Sequence, residues 1–201
     1  MAEPQQLSDP RVLRAIAHPV RTRILEEMSA TGPVRAADVA QDLGIPANQA
    51  SFHLRQLAKY GLIEEAPEEA RDKRDRVWRP TAPQGFSVNL SQLADAPGGR
   101  TAVEVFRNSK MAALHEVVDR AFAMGREDGS GVFAVSDHAI RLTDEEAHEL
   151  RGEIDAVLEA WADRTRGREQ GRRTYQVVQI VQPREHDVAH SPGDPGSDPD
   201  A

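Results

Sequence analysis

One side of the segment from residue 47 to residue 59 carries side chains that suit contact with bases and phosphates. They lie opposite an apolar stripe formed by Ala50, Leu54 and Leu57. A carboxamide can pair bidentately with adenine, an aromatic ring can lie against a thymine methyl group, and a cation suits a phosphate. The candidates for base contact are Asn48, Gln49, Ser51 and Phe52, and the candidates for phosphate contact are Arg55, Gln56 and Lys59.

Two amphipathic helices joined by a tight turn are predicted to position these side chains. The apolar residues of the first helix recur at i, i+3, i+4 and i+7, and they are Ala36, Val39, Ala40 and Leu43. Gly44 can take the positive φ that ends a helix, and Pro46 suits the start of the next one. A connection this short forces a steep crossing, so one face of the second helix projects outward. We therefore predict a helix-turn-helix over residues 36–62.

Helices are also predicted on the N-terminal side of this motif. Asp9 followed by Pro10 provides an N-cap and a first helical position, and we expect residues 1–9 to be flexible. A second helix is expected over residues 19–29, with Arg21 at its surface. His53 faces these helices or the DNA, and both interpretations remain open.

A charged hairpin is expected to follow the motif. Residues 62–66 and 76–80 have extended patterns on either side of a turn-forming tip, which on a helix-turn-helix constitutes a wing. The tip also contains acids at 68, 69, 72 and 75, so it is either a solvated loop or a phosphate-contacting wing. The cations that would contact phosphate are Arg71, Lys73, Arg74 and Arg76.

The order of these motifs resembles the winged-helix transcriptional regulators of the ArsR type. The resemblance covers roughly residues 10–82 and consists of the runs HPVR, GIP, SFHLRQL and YGLI, followed by the charged hairpin. It implies a homodimer that binds an inverted repeat in double-stranded DNA, usually as a repressor released by an effector. The effector, which would be a small molecule, is not identified by the sequence.

Metal binding is not expected from the residues present. Many ArsR-type regulators sense metals through cysteines or through Asp and His pairs on terminal helices, and this chain contains no cysteine. His115 and Asp119 stand at i and i+4, but such a pair on a helix surface is more often an ordinary solvated contact. We therefore expect no metal and no cofactor.

The charge of the chain is unevenly distributed. The net charge is −8, yet residues 1–80 contain twelve Lys and Arg against twelve Asp and Glu, and residues 81–201 contain thirteen against twenty-one. Local charge within a Debye length of about 8 to 10 Å governs phosphate binding. Clustered arginines in a neutral N-terminal part can therefore still bind DNA, but a protein-interaction module with a winged-helix shape is the alternative.

The C-terminal part is predicted to contain a linker, a long helix and a small mixed module. Residues 83–100 are loop-like, and the helix over residues 101–125 has a broad apolar face suited to dimerisation. Residues 132–182 follow a strand, helix, strand pattern, and residues 183–201 have the composition of a disordered acidic tail. The candidate dimer contacts are Phe106, Leu114, Val117, Val118, Ala121 and Phe122.

These patterns together predict a mainly α chain with α+β elements. It comprises an N-terminal winged helix-turn-helix, a long dimerisation helix and a β-α-β C-terminal module, which forms an effector pocket or extends the dimer interface. Ser136, Asp137 and His138 are consecutive and cannot converge as a catalytic triad, so an enzyme is not expected. No run of apolar residues is long enough for a membrane span, and a cytoplasmic protein is expected.

Overall fold

The computed structural model describes residues 5–70, 76–82, 85–123, 134–167 and 171–184. The chain divides into two compact units. The first contains residues 1–138 and 161–174, and the second contains residues 139–160 and 175–201. Among the helices of these described ranges, none has the length and hydropathy required to cross a membrane.

The described residues are mainly helical, with five short strands. The helices are α1 (Pro10–Ile16), α2 (Pro19–Thr31), α3 (Ala36–Leu43), α4 (Ala47–Lys59), α5 (Leu90–Asp95), α6 (Gly99–Ala123) and α7 (Asp144–Thr165). The strands are β1 (Gln5–Leu7), β2 (Val34–Arg35), β3 (Ile63–Glu65), β4 (Val77–Pro80) and β5 (Phe86–Val88). A single 3₁₀ turn, Pro67–Glu69, follows β3.

The predicted N-terminal helices are confirmed. The Asp9 side chain accepts a hydrogen bond from the Arg11 backbone N–H at 2.8 Å, which satisfies one of the free amides at the start of α1. The next helix begins at Pro19 and continues to Thr31, two residues beyond the predicted end. Both helices pack on the helix-turn-helix through a core that includes Ile24 and Met28, each no more than 1% exposed.

The wing is part of a three-stranded antiparallel sheet in the order β2, β4, β3. The two predicted wing strands are present as β3 and β4, with Glu64 opposite Arg79. The third strand, β2, was not predicted because it is only two residues long, and it pairs Val34 with Trp78. Trp78 is 7% exposed, and its burial attaches the wing to the core of the motif.

The predictions of a flexible N-terminus and a loop-like linker are wrong for the residues described. Residues 5–7 form β1, which pairs in parallel with β5 inside the supposed linker. The linker also contains α5, which begins at Asn89, whose side chain accepts from the Gln92 N–H at 3.0 Å. Leu7 of β1 is buried in the core of the motif, whereas β5 and α5 contribute to a second apolar cluster that contains Leu13 and Leu93. Burial of this cluster explains why a Pro- and Gly-rich stretch is ordered here.

The long helix α6 begins in this second cluster. Its first turns bury Gly99, Ala102 and Val103, and the Arg14 guanidinium donates to the Gly98 carbonyl at 3.1 Å. The later turns of α6 are exposed or only half-buried. The helix is therefore anchored at one end to the N-terminal part of the same unit, and most of its length leaves apolar side chains uncovered.

The C-terminal helix is confirmed, but its two flanking strands are not present in the described residues. Thr143 and Glu146 form the predicted capping box, with reciprocal bonds of 2.7 and 3.2 Å, at the start of α7. Residues 134–143 and 172–184 have no strand assignment. Apolar alternation predicts strands, but no ladder is formed, and the side chains of Val177 and Ile180 are exposed. The predicted tail from residue 185 onward lies outside the described residues.

Substituting Gly99 tests the close approach of α5 and α6. A Cβ at Gly99 would lie 1.7 Å from the Leu93 carbonyl oxygen, which is backbone and cannot rotate away. We expect Gly99→Ala to lower the free energy of unfolding by about 1 to 3 kcal/mol, as overpacking does elsewhere. Gly152→Ala is the matched control, because Gly152 lies within α7 with open space around it. It should raise helix stability by up to about 1 kcal/mol, and an equal loss in both variants would contradict the packing.

Candidate nucleic-acid interface

The turn between α3 and α4 fixes the direction of the second helix. Gly44 has φ 63° and ψ 34°, and its N–H donates to the carbonyls of Ala40 and Gln41. The Ile45 N–H also donates to the Ala40 carbonyl, at 3.0 Å. Glycine tolerates this left-handed conformation best, which is the physical reason for a glycine at the end of α3. The predicted turn is confirmed.

One side of α4 is buried against the rest of the domain. Ala50, Leu54 and Leu57 are 0% exposed, as the apolar spacing predicted. They share a core with residues of α2, α3, β2, β3 and β4. This packing determines which face of α4 points to solvent.

The opposite side of α4 is the candidate DNA-reading surface. Of the predicted contact residues on α4, five are exposed and two, Ser51 and Gln56, are half-buried. Phe52 is 50% exposed, although an aromatic side chain of a soluble domain is usually more buried. The exposed members are Asn48, Gln49, Phe52, Arg55 and Lys59.

The two carboxamides at the start of α4 differ in their availability. The Asn48 side-chain oxygen accepts from the Gln49 backbone N–H at 2.9 Å. The Gln49 side chain has no hydrogen-bond partner within the described residues, so both its donor and its acceptor can face a base. Gln49 is therefore better prepared than Asn48 for a bidentate contact.

His53 belongs to the buried side of α4. It is 8% exposed, and its ring lies 4.7 Å from the His18 ring, centroid to centroid. Of the two interpretations left open by the sequence, packing against the preceding helices is the one observed. Arg21, predicted to lie at the surface, is half-buried beside the same cluster, with its Nε buried.

Sequence reasoning did not identify the cluster of His18, Arg21 and His53. The HPVR run contains the first two residues, and the spacing of Ala50, His53 and Leu57 places the third on the apolar face of α4. The period of the helix was the available signal. The histidine was not assigned to that face because its side chain also suits DNA contact.

The cations on α4 are free to meet phosphate. Arg55 and Lys59 are exposed, and neither has an acidic partner within the described residues. Lys59 lies in the last turn of α4, where a positive charge also suits the helix dipole. Both cations among the predicted phosphate contacts of α4 therefore remain available.

The base of the wing is occupied by ion pairs within the chain. Arg79 contacts Glu64 at 2.8 Å and also pairs with Glu68, and these partners raise the pKa of Arg79, the hydrogen bond to Glu64 most. Arg76 lies 3.6 Å from Glu65. The other predicted wing contacts, Arg71, Lys73 and Arg74, lie outside the described residues. Of the four predicted wing cations, only Arg76 is described, and it already has an acidic neighbour.

The predicted dimer contacts lie along α6 with different exposures. Phe106 packs partly on the second apolar cluster of its own chain. Leu114, Val117 and Ala121 are half-buried, whereas Val118 is 51% and Phe122 is 73% exposed. Within the described ranges, no group of three or more metal-ligating side chains is found.

Substituting the two faces of α4 tests this orientation. Leu54→Ala should lower the free energy of unfolding by about 2 to 5 kcal/mol, because it leaves a cavity in the core. Gln49→Ala is the control on the same helix and should change stability by less than about 0.5 kcal/mol. Chemical denaturation of both variants measures the difference, and similar losses would show that the two faces are assigned incorrectly.

Residues 16–66 match a family described as Helix-turn-helix domain. Among curated proteins, no significant match is found. Among solved structures, this chain is similar to a double mutant of ZitR from Lactococcus lactis in its apo form. The two sequences are 20% identical, the match covers 72% of this chain and 83% of ZitR, and the TM-score is 0.32.

Two further structures are similar at comparable levels. The transcriptional regulator Tm0710 from Thermotoga maritima is 14% identical, and the match covers 75% of this chain and 82% of Tm0710 with a TM-score of 0.29. A MarR mutant from E. coli is 15% identical, and the match covers 74% of this chain and 87% of MarR with a TM-score of 0.31. The family match and the observed α3-turn-α4 geometry identify residues 16–66 as a helix-turn-helix domain with a wing beside it.

Proposed function

We propose that this chain is a homodimeric transcriptional regulator of the ArsR type that binds an inverted repeat in double-stranded DNA. The observation that supports the proposal is the two-sided character of α4. One side is fully buried in the domain core, and the other presents Gln49, Phe52, Arg55 and Lys59 to solvent. A helix with this arrangement, after a tight turn, suits insertion into the major groove.

The proposed docking assigns different tasks to the two ends of α4. Its N-terminal residues enter the groove deepest, where Gln49 pairs with adenine and Phe52 contacts a thymine methyl group. Arg55 and Lys59 lie farther along and bind phosphates. The wing cations add sequence-independent affinity, to which Arg76 contributes less because of its Glu65 neighbour.

The dimer is proposed to form through α6. Met111, Val118 and Phe122 are exposed on one face of the helix, and a contiguous exposed apolar surface of this kind is typical of an interaction site. A second copy packed along this helix would cover it and would present two copies of α4 to successive major grooves. We also propose that the dimer acts as a repressor and that a small-molecule effector releases it from DNA. In this proposal the C-terminal module binds the effector or extends the dimer interface.

The second candidate function is protein interaction without specific DNA binding. The ion pairs of Arg76 and Arg79 with glutamates at the base of the wing favour it, because they reduce the positive charge available to phosphate. The two functions differ in salt dependence and sequence dependence. A regulator binds its own site more tightly than unrelated DNA, and both affinities fall steeply with salt.

Titration of labelled DNA distinguishes the two functions. The probe is a fragment from upstream of the coding sequence, compared with unrelated DNA of the same length at two salt concentrations. The regulator is supported by tighter, salt-sensitive binding to the upstream fragment. Absent binding, or equal binding to both fragments, would favour the interaction module.

Two variants of α4 test the proposed tasks. Gln49→Ala should lose about 1 to 3 kcal/mol on the specific fragment and little on unrelated DNA, because it removes a base contact. Arg55→Ala should weaken binding to both fragments alike and reduce the salt slope by about 1, because it removes a phosphate contact. Fluorescence anisotropy on both fragments measures these losses.

Matched controls exclude effects of composition and charge. Gln176→Ala removes an exposed glutamine outside the domain, and Arg100→Ala removes an exposed arginine at the start of α6. Neither should change binding at moderate salt by more than about twofold. If Gln49→Ala and Arg55→Ala behave identically on both fragments, the division between reading and phosphate contact is incorrect.

A charge placed on α6 tests the dimer. Phe122→Glu combined with Val118→Glu should convert the dimer to a monomer, because association would bury two carboxylates of each copy without partners. Sedimentation velocity measures the mass, and Arg120→Glu at a neighbouring exposed position is the control. A double variant that remains dimeric would place the interface elsewhere.

A further inference from the structure

Two histidines lie in contact between α2 and the recognition helix α4. His18 is the N-cap of α2, where its side chain makes no capping bond, and His53 is on the buried side of α4. Their ring centroids are 4.7 Å apart, and the rings are tilted by 48°. The contact joins the helix that anchors the motif to the helix proposed to read DNA.

Three polar atoms at this contact lack hydrogen-bond partners. The Nδ1 atoms of both histidines and the Nε of Arg21 are buried and have no partner within the described residues. Such atoms are uncommon in native proteins and often mark a special role. Because a neutral imidazole keeps one nitrogen without a proton, two neutral rings can pack here at modest cost, whereas two imidazolium rings cannot.

The charged groups around the pair oppose protonation. Arg21 on α2 acts on both imidazoles, each imidazole faces the other, and Tyr60 after α4 acts on Arg21. No carboxylate of the described residues influences either ring. Burial is the largest cause that lowers the pKa of His18 and of His53. Arg21 lowers the pKa of His18 further, against a backbone hydrogen bond that raises it, and His18 and then Arg21 lower the pKa of His53.

The sign of the pH dependence follows from these shifts. The unfolded chain takes up protons near the ordinary histidine pKa of about 6.5, whereas the folded chain resists protonation until a lower pH. The contact is therefore fully stable above about pH 6.5 and loses stability as the pH falls toward the lower, folded pKa values. Each histidine can contribute up to about a tenfold change in the folding equilibrium per pH unit within that window.

The contact is directly connected to the proposed reading face. Phe52 precedes His53, and their rings meet edge to face at 5.4 Å and 70°. A displacement of His53 from α2 would move Phe52 and the face of α4 that carries Gln49. We propose that His18 and His53 form a proton-sensitive latch that holds α4 in its DNA-reading position and releases it on acidification.

This inference rests on the proposed DNA binding, and it predicts the opposite of the usual pH effect. Acidification ordinarily strengthens DNA binding because protonated histidines add positive charge. The wild-type protein should instead lose about tenfold or more in affinity for the upstream fragment between pH 7.5 and pH 5.5, since release of the latch lowers the population of the competent state.

The variants His18→Phe and His53→Phe remove the titrating groups and retain an aromatic ring. Each should reduce the acid-dependent loss of affinity to less than about threefold. His138→Phe is the matched control, since His138 is exposed outside the domain, and it should retain the wild-type profile. Full-length protein is used throughout, with anisotropy at fixed ionic strength.

The stability of the protein alone provides a second readout. The thermal midpoint of the wild type should decrease as the pH is lowered below about 6.5, and His53→Phe should show a smaller decrease because only His18 still titrates. If the wild type does not bind DNA at pH 7.5, the proposed function fails and the stability profiles decide on the latch. If the variants do not fold, titration of the wild-type histidines by NMR decides. Identical pH profiles in all variants, or titration of both His18 and His53 near pH 6.5, would overturn the latch.

Discussion

Burial of the apolar side of α4 is the constraint on which the proposed function depends. Ala50, Leu54 and Leu57 are fully enclosed by the helices and strands around them. A helix fixed on one side has a determined opposite side, so Gln49 and Arg55 face solvent without further interactions to hold them there. The turn at Gly44 sets the direction of α4, and the core sets its rotation about its own axis.

The cations of the domain fall into two groups. Those on α4 can bind phosphate, whereas those at the base of the wing are already paired with glutamates. The cations of α4 lack acidic partners within the described residues, whereas Arg79 and Arg76 pair with Glu64, Glu65 and Glu68. Exposed ion pairs of this kind add little to stability, but they reduce local positive charge. The affinity of the proposed complex would therefore depend on α4, on the tip of the wing and on doubling through the dimer.

Local signals in the sequence predicted the helix-turn-helix and the capping of its neighbours. The 3.6-residue period, Gly44, Pro46 and the Asp9 cap each act within one or two turns of chain. The pairing of β1 with β5 was missed because it joins residues 5–7 to residues 86–88, and no local pattern specifies that pairing. Strands were predicted on both sides of α7 from apolar alternation, but alternation shows only compatibility with a sheet, and a sheet also needs a neighbouring strand. The contact of His53 with His18 likewise depends on tertiary packing.

Selection of bound sequences from a random DNA pool measures whether α4 reads a symmetric site. We expect a two-fold symmetric consensus with half-sites about one helical turn apart, as two recognition helices in a dimer require. We also expect the consensus to lose definition within each half-site when Gln49 is replaced by alanine. Recovery of no consensus, or of one without two-fold symmetry, would show that a dimer of this chain does not read DNA through α4.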